Sequence, residues 1–414
     1  MASQLFKIGA ILLSTVFFLM GNGLVGTLTP VSAHLAGFSH LEIGFMGACY
    51  FAGFVAGCVI APSVLARVGH VRTFAVSAAL LAVSVLIQPV SISPTVWFLL
   101  RAIAGFCIAG LFMALESWLN DRADNRSRGR LLSFYVMVNL SSLVAGQWLL
   151  LIAPPGSFEL FSTGAIFYCL CLIPVGLTAL PQPHVPETTR LQPLKLFAIS
   201  PVGAAGCVTV GLANGAFWTL APVYAQSLGF STHELALFMS AFIAGGALIQ
   251  WPLGRISDRH DRRWIMALVC AVAAACGLVL ALVGRFLVEA PLLFFALVFV
   301  LGASMLPLYS LSIAHTNDRL PRAQFVEASA GLLLINAAAA VPGPVIASLI
   351  TSAAGPHALF LYTALVQAAM AFFAFTRIRM HEPAAIETRD LFEPMAPQTS
   401  PAALPLDPRA PEET

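Results

Sequence analysis

Two ionisable side chains lie inside one long apolar stretch of this chain, where a charge is costly to bury. Arg101 stands about seven residues into the stretch, and Glu116 stands near its other end. If the stretch is a helix, these fifteen residues at about 1.5 Å each separate the two groups by about 22 Å, so they cannot pair. They also turn through a net angle of about 60°, so both side chains can face one cavity from opposite ends. An arginine there would attract an anionic group, and a glutamate there could accept a proton.

Each of these groups also has a structural interpretation. The long side chain of Arg101 could reach the membrane–water interface on the outer side of the membrane. Glu116 could pair with an arginine of the adjacent loop or form part of a gate on the inner side. A charge at the centre of a bilayer costs about 2.5–3.5 kcal/mol, and such groups tend to face a bundle interior or a wet path. We therefore expect the side chains of Arg101 and Glu116 to line a water-filled path through the helix bundle.

Amide and aromatic side chains extend this candidate path. Asn22 and Asn214 each stand beside a glycine. Their amides are expected to line the path, whereas helix packing alone explains the glycines. Trp218 and Tyr309 could shape a pocket, although aromatic residues in such helices also serve as packing or interface anchors.

The elements that position these residues are long apolar helices. Of the 414 residues, 59% are hydrophobic and only 10% are charged, whereas soluble domains carry about 25% charged residues. A spanning helix needs about 20 mostly apolar residues. Twelve stretches of this kind lie near residues 6–30, 42–66, 72–90, 94–118, 131–152, 160–180, 200–226, 234–256, 264–283, 290–315, 325–351 and 357–378. The sequence therefore predicts an all-α membrane protein with twelve transmembrane helices.

Two stretches outside the helices divide the chain. Residues 181–199 are polar and rich in proline, which predicts a cytoplasmic linker between an N-terminal six-helix bundle (1–180) and a C-terminal six-helix bundle (200–378). Residues 379–414 follow the last predicted helix, and 381–414 contain seven prolines and seven acidic residues. This composition predicts a disordered cytoplasmic tail.

The positions of the basic residues give the orientation. With the N-terminus inside, nineteen of the 21 Lys and Arg residues fall in segments that face the cytoplasm, and only Arg285 faces out. Cytoplasmic loops carry such an excess, so both termini are expected in the cytoplasm. The net charge of +2 gives no reason to expect nucleic acid as a partner.

The two halves of the chain carry an internal repeat. Residues 22–30 and 214–222 match at five of nine positions with an offset of 192, including both asparagines and both prolines. Later the offset becomes 197 and places Asn139 on Asn336, two residues that we expect to form hydrogen bonds between helices. Because six helices is an even number, the halves share one membrane orientation. The repeat therefore predicts two parallel six-helix repeats.

A polar motif follows predicted helix 8. The run Gly254-Arg255-Ile256-Ser257-Asp258-Arg259-His260-Asp261-Arg262-Arg263 resembles the G-x-x-x-D-R-x-G-R-R signature of the major facilitator superfamily and departs from it at Asp261. The equivalent stretch after predicted helix 2 has Ala66 where the aspartate would stand. The resemblance implies the major facilitator fold, in which helices 1, 4, 7 and 10 line a central path.

The same resemblance implies a cytoplasmic gate. Its expected residues are Gly254, Asp258, Arg259, Arg262 and Arg130. Asp258 is expected near Arg130 at the start of helix 5, where exposed amides favour a carboxylate by about 0.3–1 kcal/mol. We call this expected contact between Asp258 and the start of helix 5 the latch. Because Ala66 offers no carboxylate at the equivalent position after helix 2, the latch is expected at only one of the two positions that the repeat relates.

Two further motifs narrow the resemblance. Arg101-x-x-x-Gly105 looks like a family motif of helix 4. Residues 116–122 (Glu-Ser-Trp-Leu-Asn-Asp-Arg) and 128–130 (Arg-Gly-Arg) are similar to the YcaD-like bacterial branch. The resemblance covers about residues 5–380 and implies a multi-pass protein of the bacterial inner membrane. It supplies no substrate.

These observations predict a secondary active transporter that moves a small organic solute by alternating access with proton coupling. A multidrug efflux pump and a transport-dead membrane sensor of the same fold are the alternatives. The sequence has no H-E-x-x-H, G-x-S-x-G or nucleotide-loop motif, so we expect no enzyme activity, cofactor or metal. The expected partners are the solute, protons and the lipid bilayer, and the protein is expected to be a monomer.

Overall fold

The computed structural model describes residues 2–121, 128–177, 192–321, 324–380, 392, 394 and 395, without the side chains of residues 2–8 and 128–130. Within these ranges there is no strand, and twelve helices are long and apolar enough to cross a membrane. The twelve are α1 (Gly9–Leu35), α2 (His40–Val68), α3 (His70–Val90), α4 (Pro94–Asp121), α5 (Leu131–Ile152), α6 (Phe158–Gly176), α7 (Pro201–Ser227), α8 (Thr232–Arg259), α9 (Arg262–Leu287), α10 (Pro291–Asn317), α11 (Phe325–Ala354) and α12 (Ala358–Met380). The predicted all-α membrane fold is confirmed.

Matching capping boxes begin the second helix of each half. The side chain of Ser39 accepts a hydrogen bond from the Glu42 N–H (3.2 Å), and the Glu42 carboxylate accepts one from the Ser39 N–H (2.8 Å). Ser231 and Glu234 form the same pair of bonds (3.3 and 2.8 Å) at the start of α8. Because each box satisfies two backbone donors that the helix leaves free, it fixes where the helix begins.

Prolines interrupt two of the helices. α10 consists of Pro291–Met305 and Leu308–Asn317, and α11 consists of Phe325–Ala340 and Pro342–Ala354. A proline inside a helix removes one backbone hydrogen bond and crowds the preceding turn, which permits a bend. Pro30 lies inside α1 without ending it, so this helix extends to Leu35, beyond the predicted end.

Close helix crossings occur at the same positions in both halves. In the first half, Gly53 lies against the carbonyl of Ala102 and Gly105 against the carbonyl of Tyr50, so α2 and α4 approach through two glycines. The second half repeats both contacts between α8 and α10, with Gly245 against Phe299 and Gly302 against Phe242. The offsets are again 192 and 197. The predicted parallel repeat is therefore confirmed by the packing.

The first and fifth helices of each half repeat a second crossing. Gly146 of α5 lies against the carbonyl of Met20 in α1, and Gly343 of α11 lies against that of Leu212 in α7. Small residues at such crossings let two backbones approach closely, which is a main source of helix association in lipid.

The segments outside the bundles differ from the expected irregular chain. The last seven residues of the predicted linker form a short helix, Pro193–Ile199, whose Leu196 packs on Gly331 of α11. Within the predicted tail, α12 continues to Met380, and Met395 is only 1% exposed. Of the predicted tail, the structure describes residues 379, 380, 392, 394 and 395, so disorder of the tail stays a prediction.

Candidate functional site: two chambers between the halves

We call the end of the helix bundle where α1 begins and α12 ends the terminal face, and the other end the opposite face. Near the opposite face the two halves touch closely: Gly44 of α2 lies against Ser348 of α11, and Gly47 lies against Thr219 of α7. A bend at Val341 divides α11 and precedes the segment that makes this contact. The structure is therefore closed between the halves at the opposite face.

A cavity of about 840 Å³, counting its open mouth, lies between the two halves. We call it the central chamber. Its aromatic wall residues are Tyr50, Phe51, Phe54, Phe112 and Trp218. Three asparagines from three helices, Asn139, Asn214 and Asn336, supply most of its polar groups. The chamber can thus hold a flat apolar body that also forms hydrogen bonds.

The asparagine side chains of this chamber are deeply buried. Asn139 is 2% exposed and Asn214 is 5% exposed. The Asn214 amide has no hydrogen-bond partner in the part of the chain that the structure describes, whereas the Asn139 side chain interacts with Tyr135. A buried amide without a partner costs about 1–3 kcal/mol, so Asn214 is ready to bind a polar ligand.

A second cavity of about 780 Å³ adjoins the first on the side of the opposite face. We call it the arginine chamber, because Arg101 is the cationic residue in its wall. Asn22 and Gln147 also line it, and it shares Tyr50 and Trp218 with the central chamber. The two cavities therefore form one path.

Arg101 is held by an aromatic ring. Its guanidinium carbon lies 4.3 Å from the centroid of the Tyr50 ring, which is a cation–π contact. No ion pair joins Arg101 to a carboxylate among the residues that the structure describes. The walls of the two chambers, as far as they are described, also contain no aspartate or glutamate. The path therefore carries an uncompensated positive charge.

Gln147 joins α5 to α1 beside this charge. The Thr27 hydroxyl donates to Gln147 Oε1 (2.7 Å), and Gln147 Nε2 donates to the Gly23 carbonyl (2.9 Å). The amide thus gives this wall of the arginine chamber a fixed hydrogen-bonded geometry.

Two of the predicted path residues lie outside both chamber walls. Glu116 is fully buried, and its carboxylate accepts a hydrogen bond from the Tyr135 hydroxyl (3.0 Å). Phe112, one helical turn earlier on α4, lines the central chamber, so Glu116 lies beneath this chamber toward the terminal face. Tyr309 is buried in α10 and lies close enough to Glu116 for an electrostatic interaction across the halves.

The polar motif of residues 254–263 mainly joins helices within the second half. Arg262 is 1% exposed, and its side chain donates to Asp318 (2.8 Å), donates to Ser257 (3.0 Å) and forms an ion pair with Asp258 (3.2 Å). These contacts join the start of α9 to the ends of α8 and α10. Arg259 is exposed at the end of α8.

Asp258 contacts the C-terminal tail. Asp258 Oδ1 accepts a hydrogen bond from the backbone N–H of Phe392 (2.8 Å), and the Phe392 ring lies against Gly254. A contact with the Arg130 side chain lies outside the described residues. In this conformation the motif carboxylate therefore binds the tail.

Sequence reasoning did not select several residues of the chamber walls. The sequence does not single out Tyr50, and it predicts contacts between helices for Asn139 and Asn336. Their matching positions at the offset of 197 were the available signal, because the repeat places them on equivalent helices. The orientation of a side chain on a helix that is apolar all round cannot be read from its pattern.

Comparisons with known proteins agree with this architecture. The sequence profile of the Major Facilitator Superfamily matches residues 11–204 and again residues 203–406. The chain is 25% identical over 362 residues to the uncharacterised MFS-type transporter YcaD of Shigella flexneri serotype 5b (strain 8401), covering 86% of this chain and 92% of that one.

Two solved structures are similar in fold. The nucleoside transporter NupG (D323A mutant) superposes with a TM-score of 0.76 at 13% identity, covering 90% of this chain and 99% of the other. A D-xylose–proton symporter gives 0.70 at 16% identity, covering 93% and 99%.

Proposed function

We propose, because the chain belongs to the Major Facilitator Superfamily, that it is a secondary active transporter of a small organic solute. The observation that carries this proposal is the pair of adjoining chambers between the halves. Asn22, Arg101, Asn214 and Trp218 line them, and contacts such as that of Gly44 with Ser348 close them at one end. A site between two repeats that is closed at one face is what alternating access requires.

The distribution of basic residues supports an orientation for this transporter. With the terminal face in the cytoplasm, nineteen of 21 Lys and Arg residues lie on the inner side. The relatives are bacterial proteins, which supports the bacterial inner membrane as the location of this transporter. The structure then represents a conformation closed to the outside.

Glu116 is the proposed coupling group. Its carboxylate is fully buried beneath the central chamber and accepts the Tyr135 hydroxyl. A buried acid on the route from chamber to cytoplasm can take up and release a proton as water reaches it from one side and then from the other. A proton gradient would thereby drive the solute.

Flux measurements in proteoliposomes test this proposal. Purified full-length protein is reconstituted, a pH jump is imposed, and solutes taken up from a metabolite extract are identified by mass spectrometry. We expect uptake of a limited set of solutes together with proton movement. Folded protein that moves no solute in either direction would contradict transport and favour a membrane sensor. Export of many unrelated amphiphiles would favour the efflux pump, an alternative consistent with the aromatic walls.

A further inference from the structure

The chemistry of the arginine chamber indicates the charge of its ligand. The guanidinium carbon of Arg101 lies over the Tyr50 ring, and the five N–H donors of a guanidinium lie in one plane. Planar donors of this kind match the two oxygens of a carboxylate. Because the chamber walls contribute no acidic residue in the described part of the chain, a monoanion would neutralise the site.

The adjoining central chamber indicates the body of that ligand. Its aromatic rings offer apolar faces on which a flat group can stack. The buried amides of Asn139 and Asn214 line the same cavity, and that of Asn214 has no partner in the described residues. A ligand that spans both chambers would therefore combine a carboxylate with a planar body that can hydrogen-bond.

We propose, resting on the proposed transport function, that the solute is a planar organic monocarboxylate whose carboxylate binds Arg101 and whose body occupies the central chamber. Asn22 and Gln147 line the chamber beside the carboxylate, and Asn139 and Asn214 bind polar groups of the body. Neutral analogues of the same shape lack the group that Arg101 recognises.

Ligand-induced stabilisation of the detergent-solubilised full chain tests the inference. The probes are benzoate, phenylacetate and indole-3-acetate, each compared with its own carboxamide at equal concentration. We expect at least one carboxylate to raise the melting temperature with at least about tenfold higher affinity than its amide, because hydrogen bonds to charged groups are about twice as strong. Equal stabilisation by amide and acid, or none by any carboxylate, would overturn the inference.

Variants of Arg101 and of a control arginine test whether Arg101 causes the stabilisation by a carboxylate. Arg101→Gln should abolish the stabilisation and Arg101→Lys should retain part of it. Arg285→Gln is the control, because Arg285 also stacks on an aromatic ring, Phe286 at 4.5 Å, but lines neither chamber. Because the assay needs no transport, carboxylate-specific binding without flux would contradict only the proposed function. Flux together with equal binding of acids and amides would contradict only the inference.

An independent observation concerns the C-terminal tail. The N–H of Met395 donates to Ser310 Oγ (3.0 Å), and the same hydroxyl donates to the Met395 carbonyl (2.8 Å). Phe392 binds Asp258 through its N–H and lies against Gly254 with its ring. The tail is thus held at two points, one on α8 and one on α10.

These two points lie beneath the central chamber. On α8, Gly254 follows Ile243 by three helical turns, and Ile243 lines the chamber. On α10, Ser310 follows Leu306 by one turn, and Leu306 lines the chamber as well. Phe392 and Met395 therefore lie toward the end of the path at the terminal face.

We infer that the docked residues Phe392 and Met395 form an autoinhibitory contact that restricts the path at the terminal face. Because Phe392 binds Asp258 Oδ1, this contact competes for that carboxylate with the latch expected between Asp258 and α5. Release of Phe392 and Met395 frees both the path and the carboxylate.

Photocrosslinking in native membranes tests the docking. Phe392→p-benzoylphenylalanine in the full chain should crosslink to the α8 peptide that contains Gly254. Adding Ser310→Ala should lower the yield by about tenfold, because two neutral hydrogen bonds to the tail are lost. Ser312→Ala is the control, since the Ser312 hydroxyl donates to the Leu308 carbonyl within α10 and has no described bond to Phe392 or Met395.

A functional readout completes the test. Met395→Asp places a charge at a buried position and should expel the tail, so the flux measured in proteoliposomes should rise several-fold. Crosslinks to other helices, equal yields in both serine variants, or unchanged flux in Met395→Asp would each overturn autoinhibition by this segment.

Discussion

Gly105 of α4 lies so close to the backbone carbonyl of Tyr50 in α2 that a Cβ at this position would overlap the oxygen. Gly302 has the same relationship to Phe242 in the second half. Because Tyr50 also carries the ring on which Arg101 stacks, this crossing sets the wall of the arginine chamber. The packing of the repeat and the geometry of the proposed site are therefore linked.

The first prediction concerns this crossing. Gly105→Ala should separate α2 from α4 and destabilise the folded protein by about 1–3 kcal/mol, the usual cost of overpacking. Gly302→Ala should have a similar effect, and Gly176→Ala should be neutral because nothing lies near its Cβ position. Thermal unfolding in detergent and folded yield measure the change. Stability equal to that of Gly176→Ala would show that the crossing tolerates a methyl group.

The second prediction concerns the bridge between α1 and α5. Gln147→Leu removes the bonds to Thr27 and Gly23 and should cost about 1–3 kcal/mol, because the partner hydroxyl stays buried. Thr27→Val removes one of the two bonds and should cost less. Denaturation of the two variants under identical conditions compares them. If Gln147→Leu is as stable as the parent, the bridge contributes nothing to the wall.

The third prediction concerns proton coupling. Glu116→Gln keeps the shape of the side chain but cannot take up or release a proton, so it should abolish proton movement coupled to the solute. Solute binding should survive, since Glu116 lies outside both chamber walls. Glu159→Gln, at an exposed glutamate, is the control. A pH-sensitive dye inside proteoliposomes reports the flux, and normal coupled flux in folded Glu116→Gln would rule out this coupling group.

The fourth prediction concerns the latch. Asp258→Asn weakens a carboxylate interaction with the start of α5 and should shift the population toward the state open at the terminal face. Ala66→Asp should not mimic this loss. Distances between labels on the terminal ends of the two halves measure the populations. An unchanged distribution of label distances in Asp258→Asn would contradict the latch.

Much of the architecture could be predicted because it depends on patterns that the chain carries locally. Long apolar runs specify spanning helices, since lipid leaves no other way to satisfy the backbone. Asn22 and Asn214 keep one register because each stands on an equivalent helix of a repeat. The glycine crossings at Gly105 and Gly302 then follow from the same register.

The rest depends on information that these patterns lack. A helix that is apolar all round has no polar face, so the pattern does not show that Tyr50 faces a chamber or that Glu116 lies beneath one. The docking of Met395 on Ser310 is a contact between residues 85 positions apart, and composition cannot predict it.

In the proposed transport cycle, the two halves alternate in opening the path at its two faces. Spin labels introduced as unnatural amino acids at Trp148 and His233 report the opposite face, where these rings lie 5.4 Å apart. Labels at the exposed residues Arg67 and Arg259 report the terminal face. When a pH gradient and a bound solute shift the equilibrium, we expect the first distance to lengthen while the second shortens. Two distances that stay constant, or that lengthen together, would contradict it.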